Sequence, residues 1–255
     1  MIKGIAMPNQ QVFFATFRNN VRWIAQLGVA ALLLGGASVS AYAQADEETG
    51  RKAAEELRVL VSEGTGVIGD LQPAINSSKT TKEQVAPDAL IEQFKTRYQK
   101  ATSNTLDLKA AGLIGDTRRA YVQAFTNVVT RFQPNLTKGG QDAFVPAFFR
   151  AQTLNDFNKS MQGKLQAYAT NRDGELINGD WAVAKVMKGS PLAGDVTKLM
   201  ATGSLDPVVK RTGNTVMGYY PMKLAAGCVT CHAQNGLKQK EGAFGGALVA
   251  QIPVK

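Results

Sequence analysis

Histidine and cysteine are almost absent from this chain. Its 255 residues include one histidine, His232, and two cysteines, Cys228 and Cys231. Two cysteines allow at most one disulfide, and a structural zinc site, which usually takes four Cys or His ligands, would need a carboxylate as well. Internal repeats, low-complexity tracts and runs of lysine or arginine are also lacking. Without such a basic run, nucleic-acid binding is not expected.

The first 43 residues have the pattern of an export signal. They contain three basic residues and no acidic one, then an apolar run over Ile24–Val39, then Ala41-Tyr42-Ala43. This order predicts a secretory signal peptide over residues 1–43, cleaved after Ala43 or at a second site after Ala45. An uncleaved anchor is the alternative, but the apolar run is shorter than the ~20 residues that span a membrane. We therefore expect a periplasmic protein that meets the membrane only through a transient signal peptide.

The mature chain stays basic after the signal is removed. Its 26 Lys and Arg residues stand against 20 Asp and Glu residues, which leaves a net charge of +6. A diffuse positive surface suits docking to an acidic redox partner protein or to a membrane face. A basic surface that is merely solvated has the same composition, and the oligomeric state is left open.

Apolar spacing divides the mature chain into helices followed by strands. A 3.6-residue period predicts four helices, with these signals at their ends: Pro73 after the first, Pro87 before the second, Asp116 or Thr117 capping and Pro134 ending the third, and Pro146 starting the fourth. Shorter patterns then predict a strand over 165–169, a helix after Pro191, a hairpin of 208–212 and 215–224, and a last strand over 244–254. This order predicts an α+β fold with an antiparallel sheet.

The two cysteines and the histidine lie together in Cys228-Val229-Thr230-Cys231-His232. The C-x-x-C-H spacing is typical of covalent attachment of a c-type haem. Two thiols form thioether bonds with the haem vinyl groups, and one helical turn between them spans the two vinyls. The next residue then lies beneath the iron, where an imidazole binds it. The sequence predicts one covalent haem c on Cys228 and Cys231, with His232 as the proximal iron ligand.

Three other interpretations of this motif are weaker. A zinc site lacks its fourth Cys or His. A thioredoxin-type redox pair follows a strand and opens a helix in a βαβ unit, which the helix-rich first half does not suggest. A plain disulfide leaves His232 without a role.

The single histidine leaves the second axial position of the iron unassigned. A distal histidine is impossible, so the candidates are methionines, first Met222 or Met217 on the strand that leads into the motif. Met161, Met187 and Met200 are further candidates, although a methionine in an apolar run is often core filler. An open or water-bound iron is the second option, and a Lys, a Tyr or a terminal amine the third.

Five segments together resemble a known family. They are Arg131-Phe132-Gln133-Pro134, Phe144-Val145-Pro146-Ala147-Phe148, Tyr219-Tyr220-Pro221-Met222, Ala226-Gly227 with the C-x-x-C-H motif, and Glu241-Gly242-Ala243-Phe244-Gly245-Gly246-Ala247-Leu248. They resemble the periplasmic monohaem c-type domain with a PAS-like fold, which occurs alone or as the sensor region of bacterial histidine kinases and chemotaxis receptors. Some of its members bind the iron with a second cysteine from an upstream helix, which this chain lacks.

The resemblance implies a PAS-like haem c domain over residues 116–255, preceded by a helical segment over 44–115. Because no kinase or methyl-accepting domain follows, we expect a stand-alone relative of the sensor domains. Periplasmic electron transfer or redox response is the first functional hypothesis, since the haem carries the electron and the protein sets its potential. A gas or redox sensor that signals through a separate partner is the second. A peroxidase needs a distal histidine or arginine as acid–base group and no histidine remains, so an enzyme is not expected.

Overall fold

The computed structural model describes residues 44–138, 146–172, 175–178, 185–187, 193–202, 204–224, 228–229 and 238–255. Ala43–Lys255 form one compact unit. The predicted signal peptide lies outside the described residues. None of the helices that the structure describes is long and apolar enough to cross a membrane.

The described residues form helices first and strands afterwards, as predicted. The helices are α1 (Glu47–Asn76), α2 (Pro87–Thr102), α3 (Gly112–Lys138), α4 (Pro146–Ser160) and α5 (Ala193–Ala201). The strands are β1 (Gln166–Ala169), β2 (Leu176–Asn178), β3 (Lys185–Met187), β4 (Val208–Thr212), β5 (Thr215–Lys223) and β6 (Phe244–Pro253). Strands β1, β6, β5 and β4 lie side by side in this order, each antiparallel to its neighbour, and β2 pairs separately with β3. The α+β class with an antiparallel sheet is therefore confirmed.

Helices α1 to α4 cover one face of the four-stranded sheet in two layers. Helix α1 packs on β5 and β6, and α4 packs on β1, while α3 and α2 lie over them. An aromatic cluster joins the layers: Phe94 of α2 stacks on Phe125 of α3 at 5.2 Å between ring centroids, and Phe149 of α4 meets Phe125 edge-on at 5.3 Å. Helices from both predicted segments, 44–115 and 116–255, thus contribute to the same core.

Alternation along the strands separates the two faces of the sheet. In β5, Val216 and Tyr220 belong to the large core beneath the helices, whereas Met217 and Tyr219 belong to a smaller cluster on the opposite face. Leu199 of α5 joins that smaller cluster. This is the two-residue period expected of a strand buried on both faces.

Three predicted helix ends are wrong. Helix α1 continues through Pro73 to Asn76, and α3 continues through Pro134 to Lys138. A proline near a helix end removes only one backbone hydrogen bond. Ile75 and Leu136 follow Pro73 and Pro134 by less than one turn, and their burial favours continuing the helix. Helix α3 also begins before its predicted cap: Asp116 lies inside the helix, where it forms ion pairs with Arg119 and Lys164.

The four strands predicted from the sequence agree closely with β1, β4, β5 and β6, whereas β2 and β3 were not predicted. The hairpin of β4 and β5 turns at Gly213 and Asn214, with Thr212 paired to Thr215 across the turn. Gly213 has a φ of +57°, a conformation that glycine adopts without steric cost. The predicted last strand is β6, which lies between β1 and β5 and so forms the centre of the sheet.

Candidate functional site

Cys228 lies in the connection between the two central strands, β5 and β6. Hydrogen bonds close the base of this connection: the Leu224 N–H donates to the Ala243 carbonyl over 2.9 Å, and the Gly242 N–H donates to the Leu224 carbonyl over 2.9 Å. Cys228 and Val229 have helical backbone conformation, and Cys228 carries a free, partly buried thiol. The motif therefore begins on a helical turn that both central strands anchor.

Glycines shape the strand that follows this connection. Gly246 has a φ of +135°, and a Cβ there would overlap the carbonyl oxygen of Thr170. It pairs with Met222 beside an irregularity between Met222 and Lys223, where the register of β5 and β6 shifts. At Gly245, a Cβ would collide with the side chain of Leu224. Close packing at the base of the motif thus requires glycine at position 246 and leaves little room at Gly245, whereas nothing lies within 4 Å of a Cβ at Gly242.

Arg150 is a buried charge close to Cys228. It lies on α4, is 8% exposed, and shares one helix face with the buried residues Leu154 and Phe157. Burial lowers the pKa of its guanidinium, while the Cys228 thiol and the Tyr121 hydroxyl act on it electrostatically in the opposite direction. Its Nη1 donates to the Met222 Sδ over 2.9 Å, and its Nε has no hydrogen-bond partner among the described residues.

Tyr121 of α3 brings a second unpartnered polar group to this region. Its hydroxyl is buried and has no hydrogen-bond partner in the described part of the chain. Burial is the main cause of its raised pKa. The charge of Arg150 lowers this pKa and the charge of Glu63 raises it, both by smaller amounts. The hydroxyl lies where a Cβ of Gly64 would be, so that glycine in α1 makes room for it. Arg150 and Tyr121 are therefore two buried donors that interact electrostatically with each other.

The two methionines predicted as distal ligands lie on opposite faces of the sheet. Met222 packs against the large core on the helix face and contacts Arg150. Met217, which is 9% exposed, packs with Tyr219 and Val249 on the other face. Only Met222 therefore shares with Cys228 the neighbourhood of Arg150.

Of the two cysteines and the histidine of the motif, Cys231 and His232 lie outside the described residues. The strand order nevertheless bears on the thioredoxin-type alternative. Cys228 follows a strand and begins a helical turn, but β5 and β6 are antiparallel neighbours, whereas a βαβ unit joins parallel strands. The setting required for that alternative is thus not found in the described part of the sheet.

Sequence reasoning did not identify Arg150 and Tyr121. The signal for Arg150 was present, because a single charge interrupts the apolar sequence Phe148-Phe149-Arg150-Ala151. Tyr121 lies in the apolar stripe of α3, and nothing in the sequence distinguishes its hydroxyl from a solvated one.

The described donor set fits a haem. Cys228 provides a thiol on a helical turn, Met222 a thioether sulfur, and Arg150 a guanidinium without a carboxylate partner in the described residues. Haem vinyl groups take thiols, haem iron takes thioether sulfur, and haem propionates take cations. These residues would hold the group from the helix face of the sheet.

Comparisons with known proteins add no relative. No protein-family model matches the chain, and no curated protein or solved structure matches it. The function is therefore inferred from the chain's own residues.

Proposed function

We propose that this protein is a periplasmic c-type cytochrome with one covalent haem, acting in electron transfer or redox response. Cys228 and Cys231 form the thioether bonds, and His232 is the proximal iron ligand. The four-stranded antiparallel sheet with N-terminal helices supports the further proposal that the chain is a stand-alone relative of the PAS-like monohaem domains.

The observation that carries the proposal is the setting of Cys228. Its thiol is free and lies on a helical turn, as attachment to adjacent vinyl groups requires. The buried guanidinium of Arg150 is close by, and it interacts electrostatically with that thiol. A plain structural turn would have no need of a charge in this position, since an unpaired buried charge is costly.

Within this function, the haem would supply one-electron exchange at its iron. The chain's own residues set the conditions for that exchange. The hydrogen bonds of Leu224 fix the base of the motif, and the buried core beneath α1 and α4 excludes water from the helix face. Arg150 adds a fixed positive charge, which favours the reduced state of a nearby redox centre.

Export agrees with where the compact unit begins. Asp46 caps α1 by accepting the Thr49 N–H over 2.7 Å, and Ala45 pairs with Val254 near the other end of the chain. Cleavage after Ala43 keeps both interactions, whereas cleavage after Ala45 removes the pairing with Val254. We therefore favour Ala43 as the last residue of the signal.

The test is haem attachment during periplasmic expression with a cytochrome c maturation system. The purified protein should carry one haem that survives denaturation, with the pyridine haemochrome spectrum of two thioether bonds. Cys228→Ser and Cys231→Ser should each shift that spectrum to the single-thioether form or lose the haem. Thr230→Ala, at a variable position of the same motif, is the matched control and should keep a normal spectrum. Stoichiometric zinc in place of haem in the wild-type protein would contradict the proposal.

A haem-based gas or redox sensor is the second candidate function. The buried donors of Arg150 and Tyr121 favour it, because unpaired donors near a haem stabilise a polar ligand on the iron. Optical spectra of the reduced protein with and without carbon monoxide separate the two candidates. Rapid carbon monoxide binding supports the sensor, and a methionine–iron charge-transfer band without carbon monoxide binding supports the electron carrier.

A further inference from the structure

Arg150 is the buried charge whose partner the described residues do not provide. Other arginines of the helical layers have carboxylate partners: Arg118 pairs with Glu56 at 2.7 Å, and Arg131 pairs with Asp156 at 2.6 Å. Arg150 is more buried than either, yet its described contact is a thioether sulfur, which is a weak acceptor. The sulfur leaves the positive charge uncompensated.

A buried guanidinium without an acid is unfavourable for folding. Desolvation of a charge destabilises the folded state unless a counter-charge and hydrogen bonds compensate for it. The Arg150 Nε is buried and unbonded, and the nearby Tyr121 hydroxyl is a second buried donor without an acceptor. Both groups require an acceptor, and the arginine requires a negative charge. Together they define an electron-rich acceptor as the missing partner.

We propose that Arg150, assisted by the Tyr121 hydroxyl, is an anion-binding site on the helix face of the sheet beside Cys228. The inference rests on the proposed haem, because Arg150 donates a hydrogen bond to Met222, on the strand that leads into the attachment motif. The anion has two sources with the same chemistry: a haem propionate, or a small anion that binds the iron from solution. Arginine suits both, since its planar donors form charge-assisted hydrogen bonds with carboxylates and with small anions.

The experiment compares holoprotein variants in two measurements. Arg150→Met removes the charge and keeps much of the volume, Arg150→Lys keeps the charge, and Arg131→Met is the matched control at an arginine that already has an acid partner. Azide affinity from optical titration reports a small anion on the iron. The propionate bending bands in the resonance Raman spectrum report a contact with the propionate.

The small-anion source predicts that Arg150→Met weakens azide binding by about tenfold or more, as loss of a charge-assisted hydrogen bond implies. The propionate source predicts a shift of the propionate bands in Arg150→Met while azide affinity is unchanged. In either case Arg150→Lys should lie between wild type and Arg150→Met, and Arg131→Met should match wild type. If Arg150→Met changes neither measurement, the anion site is wrong.

Failure of this inference is distinct from failure of the proposed function. A wild-type protein without covalent haem contradicts the function before any variant is made. A folding defect is also distinguishable, because a variant that keeps one covalent haem and unfolds cooperatively on heating is folded. A haem-loaded Arg150→Met variant with wild-type azide binding and wild-type propionate bands would overturn the anion site alone.

Discussion

The Nη1 atom of Arg150 donates a hydrogen bond to the Sδ atom of Met222 over 2.9 Å, joining helix α4 to strand β5. The contact fixes the Met222 sulfur on the helix face of the sheet, in the neighbourhood of Cys228. Met217 is five residues earlier on the same strand and faces the other side. An odd separation along a strand always divides two side chains in this way. A haem held on the helix face would therefore be accessible to Met222 and not to Met217.

Substitution of each methionine by leucine tests this assignment. Both changes conserve volume and should cost less than about 1.5 kcal/mol in stability. If a methionine is the sixth iron ligand, Met222→Leu should abolish the methionine–iron charge-transfer band of the oxidised protein and lower the reduction potential. Met217→Leu should leave both unchanged. Optical spectroscopy and a redox titration measure the two effects.

Two results would contradict this assignment. Loss of the charge-transfer band in Met217→Leu and its retention in Met222→Leu would place the ligand on the wrong face. A wild-type band that persists in both variants would exclude both methionines. If the wild-type protein has no such band, the open-iron alternative is favoured, and the Arg150 contact is then the reason that the sulfur of Met222 stays away from the iron.

The order of the five helices and of the strands of the four-stranded sheet could be predicted because local chemistry determines it, whereas β2 and β3 were not predicted. Alternating apolar residues and the Gly213-Asn214 turn predicted the β4–β5 hairpin, and Pro87 marked the start of α2. The ends of α1 and α3 could not be predicted, because they depend on tertiary burial. Proline at positions 73 and 134 carries a local penalty that packing of Ile75 and Leu136 outweighs.

Part of the candidate site could likewise be predicted from local sequence, and part depends on tertiary packing. The C-x-x-C-H motif is contiguous, so its chemistry could be inferred from sequence. Arg150 and Tyr121 are 78 and 107 residues from Cys228 in the chain numbering, and only the packing of α3 and α4 brings Tyr121 close to Arg150. Choosing between Met217 and Met222 likewise required knowing which face of the sheet the helices cover.

Gly246 should be essential for the strand geometry at the base of the motif. Gly246→Ala forces a side chain into a φ of +135° and against the Thr170 carbonyl, so we expect a loss of about 2 kcal/mol or more in the free energy of unfolding. Gly69→Ala is the matched control, because Gly69 lies in α1 with nothing within 4 Å of a Cβ. It should stabilise by about 0.5–1 kcal/mol, since alanine is the better helix former. Urea denaturation measures both.

The two substitutions should change the free energy of unfolding in opposite directions. If Gly246→Ala is as stable as wild type, the close approach of β6 to Thr170 is wrong. A stable Gly246→Ala protein that nevertheless loses haem would instead show that the glycine acts on the site and not on the fold.

Tyr98 should make stability depend on pH in the alkaline range. Its hydroxyl donates to Glu56 over 2.7 Å, and burial together with this hydrogen bond raises its pKa to about 12, from 10.0 for a free tyrosine. The folded state therefore holds this proton more tightly than the unfolded state. The resulting stability is fully present below pH 10 and is lost as pH rises from about 10 to about 12.

Comparison of wild type with Tyr98→Phe isolates this effect, because the other tyrosines are common to both proteins. At pH 7 the variant should be less stable by about 1.5 kcal/mol, since it lacks the hydrogen bond to the Glu56 carboxylate. Between pH 10 and pH 12 the gap should narrow, because only the wild-type unfolded state gains from ionising Tyr98. Urea denaturation at pH 7, 10 and 12 measures the gap. A gap that stays constant across this range would mean that the pKa of Tyr98 is the same in both states, and the buried pairing with Glu56 would then be wrong.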